Sequence, residues 1–443
     1  MERLIKKIRH LRGEITPPAD KSISHRSVMF ASLAKGQSRI KNFLWAQDPI
    51  NSLNAMKSLG VEIEITDSKE IIINGKGLQS LKEPDNVIDC GNSGTTIRLL
   101  SGIVAGQPFL TVLTGDDSLR QRPMRRVIEP LRLMGSNIFG RLNDRFPPLV
   151  VKGNCLKGIK YIMPVASAQV KSAILLAGIY ANSETEVIEP HKSRDHTERM
   201  LKNMGAEIQL NAITKKASKE HNNEAYSIKI KPPQDELSSI DMTIPNDFSS
   251  AAFFIAGACL VPGSEILIKN VGLNPTRTGF LDVLMQMGAN IEILNVKQQG
   301  GEPVGDIVCK TSNKLKAVTV QGSFIPKLID EFPVLCVMAT QTDGKTIIKD
   351  AKELRVKESD RIKAMVTELK KMGTQIEEFE DGVVINGPCK LRGAEVYSYK
   401  DHRIAMALTI AGLIAERPTL IKEAQCVDIS FPQFYELLEM LQK

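Results

Sequence analysis

The chain has 443 residues, of which 42% are hydrophobic and 25% charged, and its formal net charge is +7. This length and composition predict two or three globular domains and exclude a mini-protein, a fibre or a largely disordered chain. The small positive excess suits anionic small molecules at least as well as nucleic acid, and one Trp and six Tyr leave few side chains on which bases could stack.

The N-terminus and the cysteines favour a cytoplasmic protein. Charges interrupt MERLIKKIRHLRGEI, so it lacks the apolar segment of a signal peptide, and the longest apolar stretches, 251–261 and 404–415, are shorter than the roughly 18 residues of a membrane span. Seven widely spaced cysteines without a CxxC motif and six scattered histidines predict neither a disulfide framework nor a zinc site. We therefore expect no export, no membrane contact and no metal.

Read from the N-terminus, the sequence repeats an amphipathic helix that ends in Leu-Gly or Met-Gly and precedes an alternating strand. Glycine suits the residue after a helix because it accepts a left-handed conformation. The copies lie 70 to 85 residues apart, and FYELLEMLQK at the C-terminus resembles a sixth helix without its strand. The five glycines of the pattern are Gly60, Gly135, Gly205, Gly288 and Gly373.

A second pattern is a polar residue followed by a helix that is apolar on almost all sides, which is typical of a buried helix. Each repeat therefore supplies one interior and one surface helix, and we predict six strand-helix-strand-helix-strand units, three in each of two domains. The helices after the first open with Asn, Ser or Asp, which we expect to be N-caps. The six interior helices begin near Lys21, Asn92, Ser167, Asp247, Asp330 and Asp401.

Two hydrophilic stretches, residues 212–224 and 296–306, are expected to be loops or hairpin tips and not linkers between domains.

Cations recur in the first turns of four predicted interior helices. A helix N-terminus already carries partial positive charge, so repeated cations there favour a bound anion. For any single cation, the alternative is a side chain that points into solvent. The repetition therefore predicts an anion-binding cleft, lined by Lys21, Arg26, Arg98, Lys171 and Arg403.

Two further segments concentrate charge. LRVKESDRI places Lys357 and Arg361 on one helix face, with Glu358 beside them. RQRPMRRV contains four arginines, of which Arg122 precedes a proline suited to the start of a helix. For both segments, the alternative is an ordinary charged surface.

SRDHTER adds Arg194, and Ser193 or Asp195 is expected to cap the helix that follows, capping being the main role expected of Asp195. Two histidines, His25 and His402, each precede an arginine at the start of an interior helix. Such histidines more often orient a neighbouring group than take part in chemistry.

Ten short motifs follow one another along essentially the whole chain: DKSISHR, GNSGTT, QRPM, SAQVKS, RDHTE, NPTR, IDEFPVL, RVKESDR, DHRIAM and SFPQF. In their order and spacing they resemble the 5-enolpyruvylshikimate 3-phosphate (EPSP) synthases, and SAQVKS, RDHTE and NPTR resemble the second of the two bacterial classes of that family. The resemblance implies transfer of the enolpyruvyl (carboxyvinyl) group of phosphoenolpyruvate to the 5-hydroxyl of shikimate 3-phosphate, with release of phosphate.

The same resemblance implies an addition-elimination through a tetrahedral intermediate, without a metal or an organic cofactor. It also implies a place in the shikimate pathway to chorismate and the aromatic amino acids, and competitive inhibition by glyphosate.

The fold implied by the resemblance is an α/β architecture, a two-domain inside-out α/β barrel of six repeated units. One domain, residues 1–19 and 243–443, would be discontinuous, and residues 20–242 would form an inserted domain. The active site would lie in the cleft between them. We expect a monomer that takes two small-molecule substrates and no nucleic acid.

Site roles follow from the resemblance motif by motif. The catalytic groups would be Asp330 near the 5-hydroxyl, Glu358 near the methylene carbon that gains a proton, and Lys21. Groups toward shikimate 3-phosphate would be Lys21, Ser22, Arg26, Ser167, Gln169, Arg194, Asp330 and Lys357. Groups toward phosphoenolpyruvate would be Lys21, Asn92, Gly94, Arg122, Gln169, Arg361 and Arg403.

Two positions depart from the family pattern. Ile429 stands where many first-class members carry a lysine at phosphoenolpyruvate, so that contact is left out of the expected set. Ala19 replaces the glycine that usually precedes Asp-Lys-Ser, but no expected contact involves it.

Two other functions were weighed. The related UDP-N-acetylglucosamine enolpyruvyl transferases use a reactive cysteine in the loop before their Arg-Pro, whereas GDDSLRQRP contains no cysteine. An RNA-handling protein would need a continuous basic face with aromatic stacking residues, of which the chain has few.

Overall fold

The computed structural model describes residues 1–214 and 224–443. They form two compact units, each with its own hydrophobic core. Unit 1 comprises Met1–Pro18, Pro245–Gln298 and Glu302–Lys443, and unit 2 comprises Ala19–Ile244 and Gln299–Gly301. The chain thus passes from unit 1 to unit 2 after Pro18 and returns after Ile244, whereas the sequence analysis put the cuts after residues 19 and 242.

The helices vary from one turn to more than three. They are α1 (Lys21–Leu33), α2 (Gln47–Ser58), α3 (Gly94–Ala105), α4 (Arg125–Leu133), α5 (Arg141–Asp144), α6 (Ala168–Gly178), α7 (His196–Asn203), α8 (Phe248–Leu260), α9 (Gly279–Met287), α10 (Ile325–Leu328), α11 (Phe332–Ala339), α12 (Arg361–Lys371), α13 (His402–Ile414) and α14 (Phe434–Met440). Short 3₁₀ turns span Leu119–Gln121, Gly322–Phe324, Lys352–Val356 and Ala424–Ile429.

The strands alternate with these helices. They are β1 (Arg3–Ile5), β2 (Arg12–Ile15), β3 (Lys35–Lys41), β4 (Glu62–Ile65), β5 (Ile71–Lys76), β6 (Ile88–Asp89), β7 (Leu110–Thr114), β8 (Asn137–Gly140), β9 (Phe146–Lys152), β10 (Lys160–Ile162), β11 (Thr185–Glu189), β12 (Ile208–Thr214), β13 (Glu224–Ile230), β14 (Asp241–Thr243), β15 (Glu265–Gly272), β16 (Asn290–Gln299), β17 (Glu302–Lys310), β18 (Thr319–Val320), β19 (Gly344–Ile348), β20 (Gln375–Phe379), β21 (Gly382–Gly387), β22 (Glu395–Tyr397) and β23 (Thr419–Lys422).

Within the described residues the strands form six sheets, three in each unit. The sheet β10-β11-β13-β12 illustrates the common pattern, in which the first strand pairs in parallel with the second and the remaining pairs are antiparallel. The sheet β6-β7-β9-β8 repeats this arrangement. The predicted repeat of strand, helix, strand, helix and strands is therefore confirmed.

Three short strands complete sheets far from their own place in the sequence. Strand β2 precedes α1 but pairs with β15, and β14 precedes α8 but pairs with β3. At the N-terminus, β1 pairs with β23 and so completes the sheet of the last repeat. Repeat spacing alone does not predict these pairings, because they join strands more than 200 residues apart.

The predicted interior helices are buried on almost all sides. In α8, for example, every residue from Phe248 to Cys259 is buried, and α13 is buried from His402 to Leu413. A helix in this position contributes its whole circumference to the core. Side-chain oxygens cap four of these helices at their N-termini, namely Asp20 on α1, Ser93 on α3, Asp247 on α8 and Asp401 on α13.

Two predicted helix starts were wrong. Ser93 and not Asn92 caps α3, because the Ser93 hydroxyl accepts a hydrogen bond from a backbone N–H of the first turn. Helix α11 begins after Glu331 and has no side-chain cap, whereas Asp330 was expected to open it. The Asp330 carboxylate instead contacts the guanidinium of Arg361.

The glycines that end the surface helices behave as predicted. Gly60, Gly135, Gly205, Gly288 and Gly373 all have positive φ, between 83° and 103°. The second hydrophilic stretch, 296–306, includes the β16–β17 hairpin tip, whose turn residues are Gly300 and Gly301. The first stretch, 212–224, lies largely outside the described residues.

Replacing Gly205 by Ala tests the backbone requirement without a steric clash. The φ of Gly205 is +96°, and a Cβ built there meets no atom within 4 Å, so only the left-handed conformation penalises the substitution. We expect the free energy of unfolding in urea to fall by about 1 kcal/mol. Gly272→Ala is the control, because its φ is not left-handed and the nearest atom is 3.4 Å away; an equal loss in both variants would contradict the explanation.

Candidate active site

In unit 2, two guanidinium groups converge on the start of α3. Arg122 Nη2 donates to Asn92 Oδ1 at 2.6 Å, and Asn92 Nδ2 donates to Asp116 Oδ2 at 2.7 Å. A Cβ at Gly94 would lie 2.8 Å from Arg98 Nη1 and 3.2 Å from Arg122 Nη1. The start of α3 is therefore a suitable anion site. Two arginines lie beside the helix N-terminus, and its first residue, Gly94, has no side chain to block an anion.

Gln169 connects this site to the start of α6. Arg98 Nη1 donates to Gln169 Oε1 at 2.5 Å, and Gln169 Nε2 donates to Thr95 Oγ1 at 3.0 Å. Ser167 occupies the N-cap position of α6 but makes no capping hydrogen bond with its side chain. The buried Arg98 thus bonds Gln169 and lies beside Gly94, and Arg122 lies beside Gly94 as well.

At the first residue of α1, Lys21 Nζ lies 3.3 Å from Asp48 Oδ2. Asp48 is nearly buried in the first turn of α2. Sequence reasoning missed Asp48, although an acidic residue in the first turn of a surface helix is a recognisable signal. The pair holds the Lys21 ammonium group near the start of both helices.

The Arg26 guanidinium is 3% exposed and makes three internal contacts. Its Nε donates to Thr197 Oγ1 at 2.8 Å, Nη2 donates to Ser172 Oγ at 3.0 Å, and Nη1 donates to Ser22 O at 3.0 Å. These contacts join α1 to α6 and α7 and hold the carbonyl group of Ser22.

A buried chain of hydrogen bonds runs behind the starts of α1, α2 and α3. His25 Nδ1 lies 2.7 Å from Ser52 Oγ, Ser52 Oγ lies 2.8 Å from Thr96 Oγ1, and Thr96 donates to Ser93 Oγ. Burial, and then the positive charges of Lys21 and Arg26, lower the pKa of His25 well below its ordinary value of 6.5. A neutral imidazole therefore orients these helices, as the sequence suggested.

Lys171 does not serve as an anion site, contrary to its place in the cation pattern. Its fully buried ammonium lies 2.9 Å from Glu189 Oε1 and 2.7 Å from Glu198 Oε1. Although burial opposes the change, the Glu198 and Glu189 carboxylates raise the pKa of Lys171, while burial raises the pKa of Glu198. Lys171 also donates to Ser193 O at 3.3 Å and so holds the segment before Arg194.

Asp195 was expected to cap α7 with its side chain, and this was wrong. It occupies the N-cap position, but its carboxylate makes no capping bond. It pairs with Arg199 Nε at 2.8 Å and with Lys192 Nζ at 3.3 Å.

In unit 1, the guanidinium of Arg361 holds three carboxylates. Arg361 is 1% exposed; its Nε lies 2.8 Å from Asp401 Oδ2, its Nη2 2.7 Å from Glu358 Oε2, and its Nη1 3.2 Å from Asp330 Oδ1. Although burial opposes the change, the three carboxylates raise the pKa of Arg361. Both carboxylates expected to move protons are therefore fixed on one guanidinium.

Arg403 and Lys357 add positive charge near Asp330. Arg403 Nη1 donates to Asp330 O at 3.2 Å, and its Nη2 lies 3.7 Å from Asp330 Oδ2. Lys357 Nζ lies 4.0 Å from Glu353 Oε1. Burial lowers the pKa of Lys357, while the charges of Glu353 and Asp330 oppose that change.

Two residues that were left out of the expected site contact other parts of unit 1. Glu331 is fully buried and accepts a hydrogen bond from Ser249, whose hydroxyl also accepts from Arg277. Ile429 packs against the core of unit 1. Among the described residues, no group of three or more His, Cys, Asp and Glu side chains is arranged to hold a metal ion, and no helix is long and apolar enough to cross a membrane.

The expected site residues divide between the units. Unit 1 contains Asp330, Lys357, Glu358, Arg361 and Arg403. Unit 2 contains Lys21, Ser22, Arg26, Asn92, Gly94, Arg122, Ser167, Gln169 and Arg194.

Known proteins resemble the chain over its whole length. The family model for EPSP synthase (3-phosphoshikimate 1-carboxyvinyltransferase) matches residues 5–438. The chain belongs to the EPSP synthase family. The 3-phosphoshikimate 1-carboxyvinyltransferase of Thermodesulfovibrio yellowstonii is 73% identical, with both chains fully covered, and that of Bacillus subtilis is 49% identical over 99% of each chain.

A solved EPSP synthase structure, from Acinetobacter baumannii, is 42% identical and superposes with a TM-score of 0.85, covering 99% of this chain and 98% of that one. The two-domain inside-out α/β fold of EPSP synthases is therefore also the fold of this chain. The predicted family and fold class are both confirmed.

The buried His25 should make stability depend on pH. Because its pKa is lowered in the folded state, only the unfolded chain takes up this proton as the pH falls below 6.5, and stability is lost in that range. His25→Asn, which keeps a polar atom near the position of Nδ1, should reduce the loss between about pH 7.5 and about pH 5.5 by about 1 kcal/mol.

Urea denaturation at the two pH values measures this difference. His10→Asn is the control, since His10 is partly exposed. If His25→Asn retains the full pH dependence of the parent chain, the buried imidazole is not its source.

Proposed function

We propose that this chain carries out the reaction of its family with the groups described above. The enolpyruvyl group of phosphoenolpyruvate is transferred to the 5-hydroxyl of shikimate 3-phosphate, and phosphate is released. The observation that carries the proposal is the pairing of two carboxylates with the Arg361 guanidinium. Arg361 Nη1 lies 3.2 Å from Asp330 Oδ1, and Arg361 Nη2 lies 2.7 Å from Glu358 Oε2. Enolpyruvyl transfer needs two proton-transferring groups, and this contact fixes two carboxylates side by side.

In the addition step, the 5-hydroxyl oxygen of shikimate 3-phosphate bonds to C2 of phosphoenolpyruvate, and the methylene carbon of phosphoenolpyruvate gains a proton. Asp330, as a carboxylate, receives the hydroxyl proton, and Glu358, once protonated, supplies the proton to carbon. The resulting tetrahedral intermediate carries both the phosphate and the shikimate oxygen on C2. Elimination reverses both transfers: Glu358 takes a proton back from the new methyl group, and phosphate leaves with the proton that Asp330 held, which restores the double bond and both carboxyl groups.

The anionic groups of the substrates need cations and helix starts. Lys21, Asn92, Gly94, Arg122 and Gln169 would hold phosphoenolpyruvate, supported by the convergence of Arg122 on the start of α3. Arg361 and Arg403 would complete that set. The donors of Arg361 are already directed at carboxylates, so substrate would share or displace one of those contacts.

Some of the groups assigned to shikimate 3-phosphate are held in place by hydrogen bonds to one another or to neighbouring residues. Arg26 and Ser22 are joined by a hydrogen bond of 3.0 Å, and Lys171 holds the segment before Arg194. The remaining groups assigned to this substrate are Lys21, Ser167, Gln169, Asp330 and Lys357.

We further propose a monomer that works in the cytoplasm. Five of the seven cysteines are buried, and all seven are free thiols, which suits a reducing compartment. Sedimentation equilibrium with and without both substrates tests the oligomeric state.

Phosphate release tests the reaction directly. With shikimate 3-phosphate and phosphoenolpyruvate together, the purified chain should release phosphate at a saturable rate, and neither substrate alone should suffice. UDP-N-acetylglucosamine replaces shikimate 3-phosphate in the control. Release with the UDP-sugar and none with shikimate 3-phosphate would reverse the assignment.

Asp330→Asn and Glu358→Gln test the proton transfers. Each should lower kcat by about 10²- to 10⁴-fold, because each removes a group that accepts or donates a proton. Glu377→Gln, at an exposed carboxylate on β20, should leave kcat unchanged. Near-parental turnover in both site variants would show that other groups move the protons.

A further inference from the structure

The four-residue segment labelled α5, which follows β8 in unit 2, is an unusual turn and not an ordinary right-handed helix. Leu142, Asn143 and Asp144 have φ values of 52°, 55° and 68°, a left-handed conformation that is uncommon for residues other than glycine. Such a turn persists only when its surroundings hold it. Asp144 supplies two of the contacts: Oδ1 accepts from Gly140 N, and Oδ2 lies 2.9 Å from Arg132 Nη1.

The turn is bonded to the segment that precedes α4. Arg141 Nη2 donates to Arg120 O at 2.9 Å, and Met124 N donates to Arg145 O at 2.9 Å. Arg141 is itself held by the bond from its Nε to Pro147 O at 3.0 Å. The turn is therefore hydrogen-bonded to the segment before α4 at two residues, 120 and 124.

Arg122 lies midway between these two attachment points. Its side chain is 8% exposed and reaches Asn92 Oδ1 at the start of α3. Because Arg120 O and Met124 N are both fixed by the turn, the backbone of Arg122 is fixed from both sides. A shift of about 1 Å in such a group is enough to impair a reaction strongly.

We infer that Arg141 is a positioning residue for phosphoenolpyruvate, acting through Arg122. The inference rests on the proposed function, in which Arg122 holds that substrate. Loss of the Arg141 guanidinium removes the bond to Arg120 O and loosens that side of the Arg122 segment, which still keeps the bonds of its own 3₁₀ turn, such as Arg122 N to Leu119 O at 3.0 Å. Affinity for phosphoenolpyruvate falls, while the contacts assigned to shikimate 3-phosphate remain.

Arg141→Ala and Arg145→Ala form a matched pair. Each removes one positive charge and one guanidinium that lies over the Phe146 ring. Only the Arg141 side chain bonds Arg120 O, whereas the bond from Met124 uses the Arg145 backbone and so survives in Arg145→Ala. Arg141→Ala should raise the KM for phosphoenolpyruvate by about tenfold, with little change in the KM for shikimate 3-phosphate. Arg145→Ala should change neither KM.

Arg141→Lys is a second variant that keeps the charge but loses the two-nitrogen geometry of the guanidinium. Its KM for phosphoenolpyruvate should lie between those of the parent chain and Arg141→Ala, and millimolar methylguanidinium should lower the KM of Arg141→Ala. Equal KM values in Arg141→Ala and Arg145→Ala, or an equal rise for both substrates, would overturn the inference.

Arg122→Ala separates this inference from the proposed function. If Arg122→Ala raises the KM for phosphoenolpyruvate and Arg141→Ala does not, only the positioning role fails. If Arg122→Ala leaves that KM unchanged, the assignment of Arg122 to phosphoenolpyruvate fails and the positioning role of Arg141 fails with it, while the phosphate-release assay decides the reaction independently.

Discussion

A helix that is buried on all sides can offer polar groups to a ligand only at its ends, because any polar side chain in its middle would need a partner inside the core. Both units are built around such helices, and their N-termini also carry partial positive charge. Lys21, Gly94, Gln169 and Arg403 all lie in the first turns of interior helices. The same constraint that makes the cores apolar thus places these four groups at the helix starts, whereas Arg122, Arg361 and Lys357 come from segments outside the interior helices.

Charges near those starts are stabilised by pairing. Arg361 holds three carboxylates, Lys171 holds two, and Arg26 donates to two hydroxyls and a carbonyl. Removing one partner from a buried ion pair typically destabilises a protein by about 3 to 5 kcal/mol, so each cluster strongly fixes its own geometry. Groups fixed before substrate arrives need little reorganisation during the reaction, which is the physical basis of electrostatic catalysis. In this protein the main effect of the buried pairs is therefore to orient side chains and helices. The carboxylates on Arg361 and the hydroxyl chain behind His25 fix the positions of the helix starts on which the proposed chemistry depends.

Much of this organisation could be predicted from local sequence. The Gly after each surface helix and the apolar circumference of each interior helix are properties of a few neighbouring residues, and both predictions were confirmed. The family motifs likewise led to the correct fold class. Predictions failed where a side chain had a distant partner. Lys171 resembled its counterparts in the cation pattern, but Glu189 and Glu198 come from a strand and a surface helix. The Asp195 prediction failed for a local reason instead, because its carboxylate pairs with Arg199 and Lys192, which lie four and three residues away. Asp48 was missed because nothing local indicates that it meets Lys21.

The sequence by itself determined the number of repeats, the class of each helix and the family, because periodicity and ordered motifs record short-range requirements. Only the tertiary structure decided that β2 and β14 pair with β15 and β3, that β1 completes the last sheet, and which charges neutralise one another. Strand pairing and many ion pairs depend on distances between segments that are far apart in the chain, by more than 200 residues for these three strands. Local patterns contain no measure of those distances, since they arise only when the two cores form.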